Sequence, residues 1–131
     1  MLKTKSVYDP IQPDDGLRIL ATRYRGRGLS KRRYHVWMAC LGPSEDLLNN
    51  GPSAWHKWSK QYEAEMLGKR RNQIVHEPKN PGIRNAGQKF TLRLIKHLAK
   101  HQNVTLLCHD DSDDPKCHLI PLRKLIKSSK I

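Results

Sequence analysis

The sequence predicts an α/β domain in which at least part of the sheet is parallel. Two observations carry this expectation. Short apolar runs suited to strands, 17–22 and 104–108, are separated by segments with helical periodicity at 53–68 and 88–101. The order strand, helix, strand, helix then calls for crossovers that lay helices against a parallel sheet. At 131 residues the chain is long enough to bury a core of its own, and its 37% hydrophobic content, with three Trp, four Tyr and one Phe, is low but adequate.

Each element has a local reason. Ser6-Val7-Tyr8 reads as a short strand stopped by Asp9-Pro10, and residues 12–16 carry turn chemistry. Leu17 to Thr22 alternates, placing Leu17, Ile19 and Ala21 on one face. Val36 to Leu41 is a further short strand or an irregular packing segment. Ser44 caps a first helical piece, with Glu45 and Asp46 in its favourable first turn. Ser53 is the expected N-cap of a stronger helix whose Trp55, Trp58, Tyr62 and Met66 fall at helical spacing before Gly68 closes it. That stripe reads as core rather than as a platform for stacking bases. Residues 69–87 show no period and form a basic, irregular insertion. The next helix, about 88–101, is expected to turn Phe90, Leu94, Ile95 and Leu98 inward. Residues 104–108 form the clearest buried strand, and a last helix near 121–127 sets Leu122, Leu125 and Ile126 on one side.

Charge bears on partners. The formal net charge is +13, and seven basic residues with no acidic one lie between Gly16 and Ser44. Such a surplus repels itself and is usually kept for an anionic partner. Nucleic acid is the first expectation, through contacts mainly to phosphate with little sequence preference. Arg23, Arg25, Arg27, Arg32 and Arg33, with the cluster Lys69, Arg70 and Arg71, are the candidate contacts. If the chain stayed extended after Thr22, then Arg23, Arg25 and Arg27 would continue one face of the strand, unless Gly26 or Gly28 turned it. Arg23-Tyr24-Arg25-Gly26-Arg27-Gly28 is similar in composition to RGG-like nucleic-acid-binding segments. An acidic protein partner is a further possibility. No apolar run spans a bilayer, and the start of the chain lacks an apolar signal core, so a cytoplasmic protein without membrane attachment is expected. Three widely spaced cysteines fit reduced thiols better than a disulfide framework.

The candidate chemistry lies in Cys108-His109-Asp110 and Cys117-His118, around a loop with four aspartates, Asp110, Asp111, Asp113 and Asp114. Three readings stay open. Cys108 or Cys117 is a nucleophile helped by His109 or His118; sulfur and imidazole bind zinc; or both thiols are inert packing. The spacing lacks the paired short knuckles of zinc sites, and neighbouring carboxylates disfavour a thiolate. The aspartate loop could hold a divalent cation, although not with EF-hand spacing, or fold against Arg23–Arg27. The sequence therefore implies no cofactor and no resident metal. Walker, dinucleotide-binding, nucleophile-elbow and metalloprotease motifs are absent. The alternative function is an enzyme acting on a nucleotide or nucleic acid at a cleft of Cys108, Cys117 and His118.

Val7-Tyr8-Asp9, Asp14-Asp15-Gly16, Arg18, Arg23, Arg27-Gly28, Ser30-Lys31, Trp37, Leu41, Pro43-Ser44, Trp55, Tyr62 and 104–107 together resemble the DUF488 family, in particular its YeaO-like branch. The resemblance implies a small single domain over 1–131, a three-layer-like sandwich with a mostly parallel sheet flanked by helices, and no established activity. Thr22, Tyr24, Arg25 and Gly26 stand where the family usually has Asp, Leu, Trp and Pro, a more cationic and flexible edge. Broader members carry Cys-x-Glu followed by Cys-His-Arg. Here Asp110 replaces the Glu and Leu119 the Arg, which implies a cleft lined by the 108–118 region.

Overall fold

The computed structural model describes residues 1–51, 54–69, 88–111 and 113–131. Along the chain come β1 (Leu2–Ser6), β2 (Leu17–Leu20), β3 (Val36–Trp37), α1 (Glu45–Asn50), α2 (Trp55–Met66), α3 (Lys89–His101), β4 (Val104–Cys108) and α4 (Leu119–Lys127). Short 3-10 turns at Pro13–Asp15 and Lys31–Arg33 lie between the early strands, and one at Ala39–Leu41 leads from β3 to α1. The four strands form one all-parallel sheet in the order β1-β4-β2-β3. The α/β architecture with a parallel sheet is as expected.

β4 lies between β1 and β2, with Val104 opposite both Leu2 and Leu17. All five of its residues are buried, as an inner parallel strand requires. Alternation then separates two faces. On one, Leu2, Ile19, Ala21, Val104, Leu106 and Cys108 pack with the apolar sides of all four helices. On the other, Val7, Leu20 and Leu107 meet Leu29 and Tyr34, so the segment around the 31–33 turn supplies the thinner outer layer. Arg18 is buried on this second face. It reaches the Asp15 carboxylate and donates from Nε to the Arg33 carbonyl at 2.8 Å, while Lys5 Nζ stands 3.0 Å from Asp15.

The aromatic stripe of α2 is core, as its spacing predicts. Trp58 stacks between Trp55 and Tyr62 at 5.5 and 5.8 Å. Its Nε1 donates to the Leu47 carbonyl at 3.0 Å, and the Tyr62 hydroxyl donates to Leu41. Ser44 caps α1 by accepting from the Leu47 amide at 3.3 Å and binds the buried Glu65 carboxylate. The expected cap Ser53 lies outside the described residues.

Several boundaries differ from expectation. The first strand is 2–6 rather than 6–8, because Lys3 and Lys5 hide it in the sequence while pairing with Asp14 and Asp15 in the fold. α3 buries Leu92 and Ile95, and leaves Phe90 and Leu94 exposed at 69% and 53%. The helix carries two overlapping apolar stripes, and the sheet takes the one through 92 and 95. α4 starts at Leu119, since Pro121 is tolerated in a first turn whose amides have no partner in the helix. Among the described residues, no helix is long and apolar enough to cross a membrane.

Candidate functional site

The carboxyl ends of β2 and β4 meet the 42–48 segment and the start of α4, at the edge where open parallel sheets bind ligands. Two backbones touch here. A Cβ on Gly42 would lie 2.1 Å from the Arg23 nitrogen, so only glycine lets residues 22–23 pass residue 42. The passage fixes the Arg23 guanidinium, which donates from Nε to the Pro43 carbonyl at 3.0 Å and from Nη2 to the Gly42 carbonyl at 3.1 Å.

Arg23 lines a cavity of about 160 Å³ with Thr22, Tyr24, Pro43, Leu48, His109, Asp110 and His118. A second cavity of about 180 Å³ shares Pro43, Leu48, Asp110 and His118 with it and extends to Leu47, Trp58, Asp114 and Lys116. Together they make one cleft, apolar on the 43–48 side and polar on the 109–118 side. A larger groove of about 440 Å³ between α2 and α4 contains none of the candidate catalytic or binding residues.

The two histidines are held differently. His118 Nε2 lies 2.5 Å from the Ala21 carbonyl, and its ring meets Tyr62 edge-on at 5.8 Å. His109 Nε2 lies 3.2 Å from the Tyr24 carbonyl and Nδ1 3.4 Å from the Tyr8 hydroxyl. A carbonyl only accepts, so Nε2 is the donor in both contacts.

Cys108 and Cys117 are buried, with their sulfurs 3.2 Å apart. The contact with Cys108 and the loss of water push the Cys117 thiol well above its ordinary pKa, against the opposing influence of His118. Cys108 also points its sulfur at the Asp110 carbonyl, 3.7 Å away. One sulfur and one carboxylate oxygen added to the other sulfur, from Cys108, Asp110 and Cys117, all lie within 4.8 Å of one another.

The predicted basic residues are held in different ways. β2 ends at Leu20 and the chain bends at residues 23–24, and Gly26 and Gly28 turn it again with φ of 94° and 74°, so Arg23, Arg25 and Arg27 do not extend the face of β2. Arg25 is used internally, donating to the Tyr34 hydroxyl and the Leu29 carbonyl, both at 2.5 Å, with its guanidinium over the Tyr34 ring. Arg33 is half-buried and donates to the Asp9 carbonyl at 3.3 Å. Arg27, Arg32 and Lys69 are exposed. Arg70 and Arg71, like nearly all of the basic insertion, lie outside the described residues. The aspartate loop does not pair with Arg23–Arg27 among the described residues. It is His109 that packs there, against Gly26.

Sequence reasoning had picked out Arg23, His109 and His118, which share the cleft, but not Thr22, Tyr24, Pro43 or Leu48 as its walls. Gly42-Pro43-Ser44 was legible as a helix start, and nothing local in it announces the crossing with Arg23.

A parallel α/β domain with a His- and Arg-lined cleft at the carboxyl edge of its sheet is the class that fold and site define. The profile of the family described as the active DUF488-N3 subclade, DUF488-N3a, matches residues 2–130. The chain belongs to the DUF488 family. Comparison with curated proteins and with solved structures found no match.

Proposed function

We propose that the chain is a nucleic-acid-binding domain that grips phosphate backbones with little preference for sequence. One observation carries this reading. Arg27, Lys31 and Arg32 are exposed, form no ion pair among the described residues, and sit on a segment anchored by the internal bonds of Arg25 and Arg33. Anchored, unpaired cations on a chain of formal charge +13 lose little entropy on meeting phosphate. Lys69, with Arg70 and Arg71, adds to the same attraction in this reading, and exposed Tyr24 and Trp37 offer faces for stacking. Reduced thiols suit action in the cytoplasm.

The test is the salt dependence of binding to single- and double-stranded DNA and RNA of mixed sequence. Neutralising about six phosphates gives a slope of log affinity against log salt near −5. Affinity that hardly changes with salt rejects the reading, and capture of an acidic protein without nucleic-acid binding at physiological salt replaces it.

A second reading is favoured by the cleft itself, where Arg23, His109 and His118 share one cavity, with Cys117, not itself a lining residue, next to His118 in the chain. Here the protein acts chemically on a nucleotide or nucleic acid, Arg23 receiving a phosphate and His118 Nδ1 accepting a proton. The description of the matched subclade as active accords with this. Cys117→Ser abolishes turnover and preserves polymer affinity if the thiol takes part; retained turnover removes it from the reaction.

A further inference from the structure

We propose that Cys108, Asp110 and Cys117 form a site for a zinc-type divalent cation. This rests on the geometry of that corner and not on nucleic-acid binding. Two sulfurs and a carboxylate oxygen gather within 4.8 Å of one another from three separate positions: the end of β4, the loop after it, and the residue before the N-cap of α4. Thiolate and carboxylate together suit zinc better than magnesium or calcium, which prefer oxygen alone. With Zn–S bonds near 2.3 Å, a tetrahedral metal holds two sulfurs about 3.8 Å apart. The sulfurs at 3.2 Å therefore need to separate by only about half an ångström.

A void of about 20 Å³, roughly the room one water or ion needs, lies directly against both cysteines. Asp114 lines it as well, while Asp110 reaches the two sulfurs from outside it, and the fourth coordination position is left to water. One Asp114 carboxylate oxygen accepts from the Lys116 amide at 2.9 Å, which orients that side chain. Lys5 borders the same void, but its ammonium is held elsewhere, by Asp15 and by the Pro10 carbonyl at 2.7 Å. Asp110 is exposed and gives the ion its way in, whereas both sulfurs are shielded. As each sulfur ligates, its proton passes to solvent. His118 is not among the groups whose donor atoms lie within 4.8 Å of one another, which are Cys108, Asp110 and Cys117.

The experiment titrates the reduced, metal-free full chain with Co²⁺. One equivalent is expected to produce thiolate-to-cobalt charge-transfer bands and the intense visible bands of a tetrahedral centre, both erased by one equivalent of Zn²⁺. Cys108→Ser and Cys117→Ser each abolish the charge-transfer bands, and Asp110→Ala weakens Co²⁺ binding by at least about tenfold. Cys40→Ser, at a thiol outside the cluster, changes nothing. Since a cysteine variant can fail to fold, the exposed Asp110→Ala variant and far-UV circular dichroism of each protein keep the outcome decisive. Absence of charge transfer in the folded, reduced wild type overturns the proposal, as do bands that survive in a folded Cys117→Ser protein. So does recovery of the anaerobically purified chain with a Cys108–Cys117 disulfide in place of a metal.

Discussion

Gly26 lies against the imidazole of His109, so close that a Cβ on the glycine would stand 2.6 Å from the ring's Cε1. The contact joins the turn that follows β2 to the loop that follows β4, two segments more than eighty residues apart in sequence. It places His109 between the Tyr24 carbonyl and the Tyr8 hydroxyl, and so shapes one wall of the cleft.

Gly26→Ala therefore imposes two penalties, a side chain at φ of 94° and a clash with the ring. A loss of about 1–3 kcal/mol in urea unfolding is expected. Removing the clashing ring in the double variant Gly26→Ala/His109→Ala restores part of that loss and leaves the φ penalty. Strict additivity of the two single changes would show that the ring does not press on residue 26.

Asp15 supplies the pH dependence of stability. Burial by itself raises its pKa, but the Gln12 amide, Lys5 and Arg18 outweigh it and hold the carboxyl below its ordinary 3.8. A depressed folded-state value contributes stability that is complete above the unfolded pKa and is lost as pH falls through the folded one. Unfolding free energy should thus decline below about pH 4 and fall less steeply in Asp15→Asn, measured by denaturant titration across pH. At neutral pH, Asp15→Ala leaves Arg18 buried without its carboxylate and costs about 3–5 kcal/mol.

For the exposed cations the expectation is the reverse, a change in binding without a change in stability. Arg27→Ala/Lys31→Ala/Arg32→Ala should flatten the salt slope of nucleic-acid binding by about 2.7 and shift unfolding by no more than about 0.5 kcal/mol per site. An unaltered slope would move the interface to another surface.

The two stripes of α3 can be told apart directly. Leu92→Ala opens a cavity under the sheet and should cost about 2–5 kcal/mol, whereas Phe90→Ala stays within about 0.5 kcal/mol. Thermal or urea unfolding of the two variants decides which stripe is core.

That ambiguity shows where the sequence was readable. Val104 to Cys108 announced itself because an inner parallel strand is apolar on both faces, and the Trp58–Tyr62 stripe because one apolar helix side must be covered. β1 was hidden because its alternate positions are lysines whose charges are satisfied by Asp14 and Asp15, partners invisible before folding. At the site, a cleft of Cys108, Cys117 and His118 was expected, whereas Arg23 and His118 line one cavity and the two cysteines border a separate void. Arg23 is positioned by the carbonyls of residues 42 and 43, and a backbone acceptor leaves no trace in residue identity. The shared face expected of Arg23, Arg25 and Arg27 failed because the strand ends at Leu20 and the chain bends and then turns at two glycines.

β1 and β2 do not pair with each other; each is paired through β4, which arrives just over a hundred residues after β1 begins. No fragment ending ahead of residue 104 can assemble this sheet, and every early strand must wait with its edge unsatisfied. Folding is accordingly governed by the late capture of one central ribbon, a long loop closure that makes the process slow and all-or-none. A covalent tie between the two ends of the chain would hasten it more than any improvement to an individual helix.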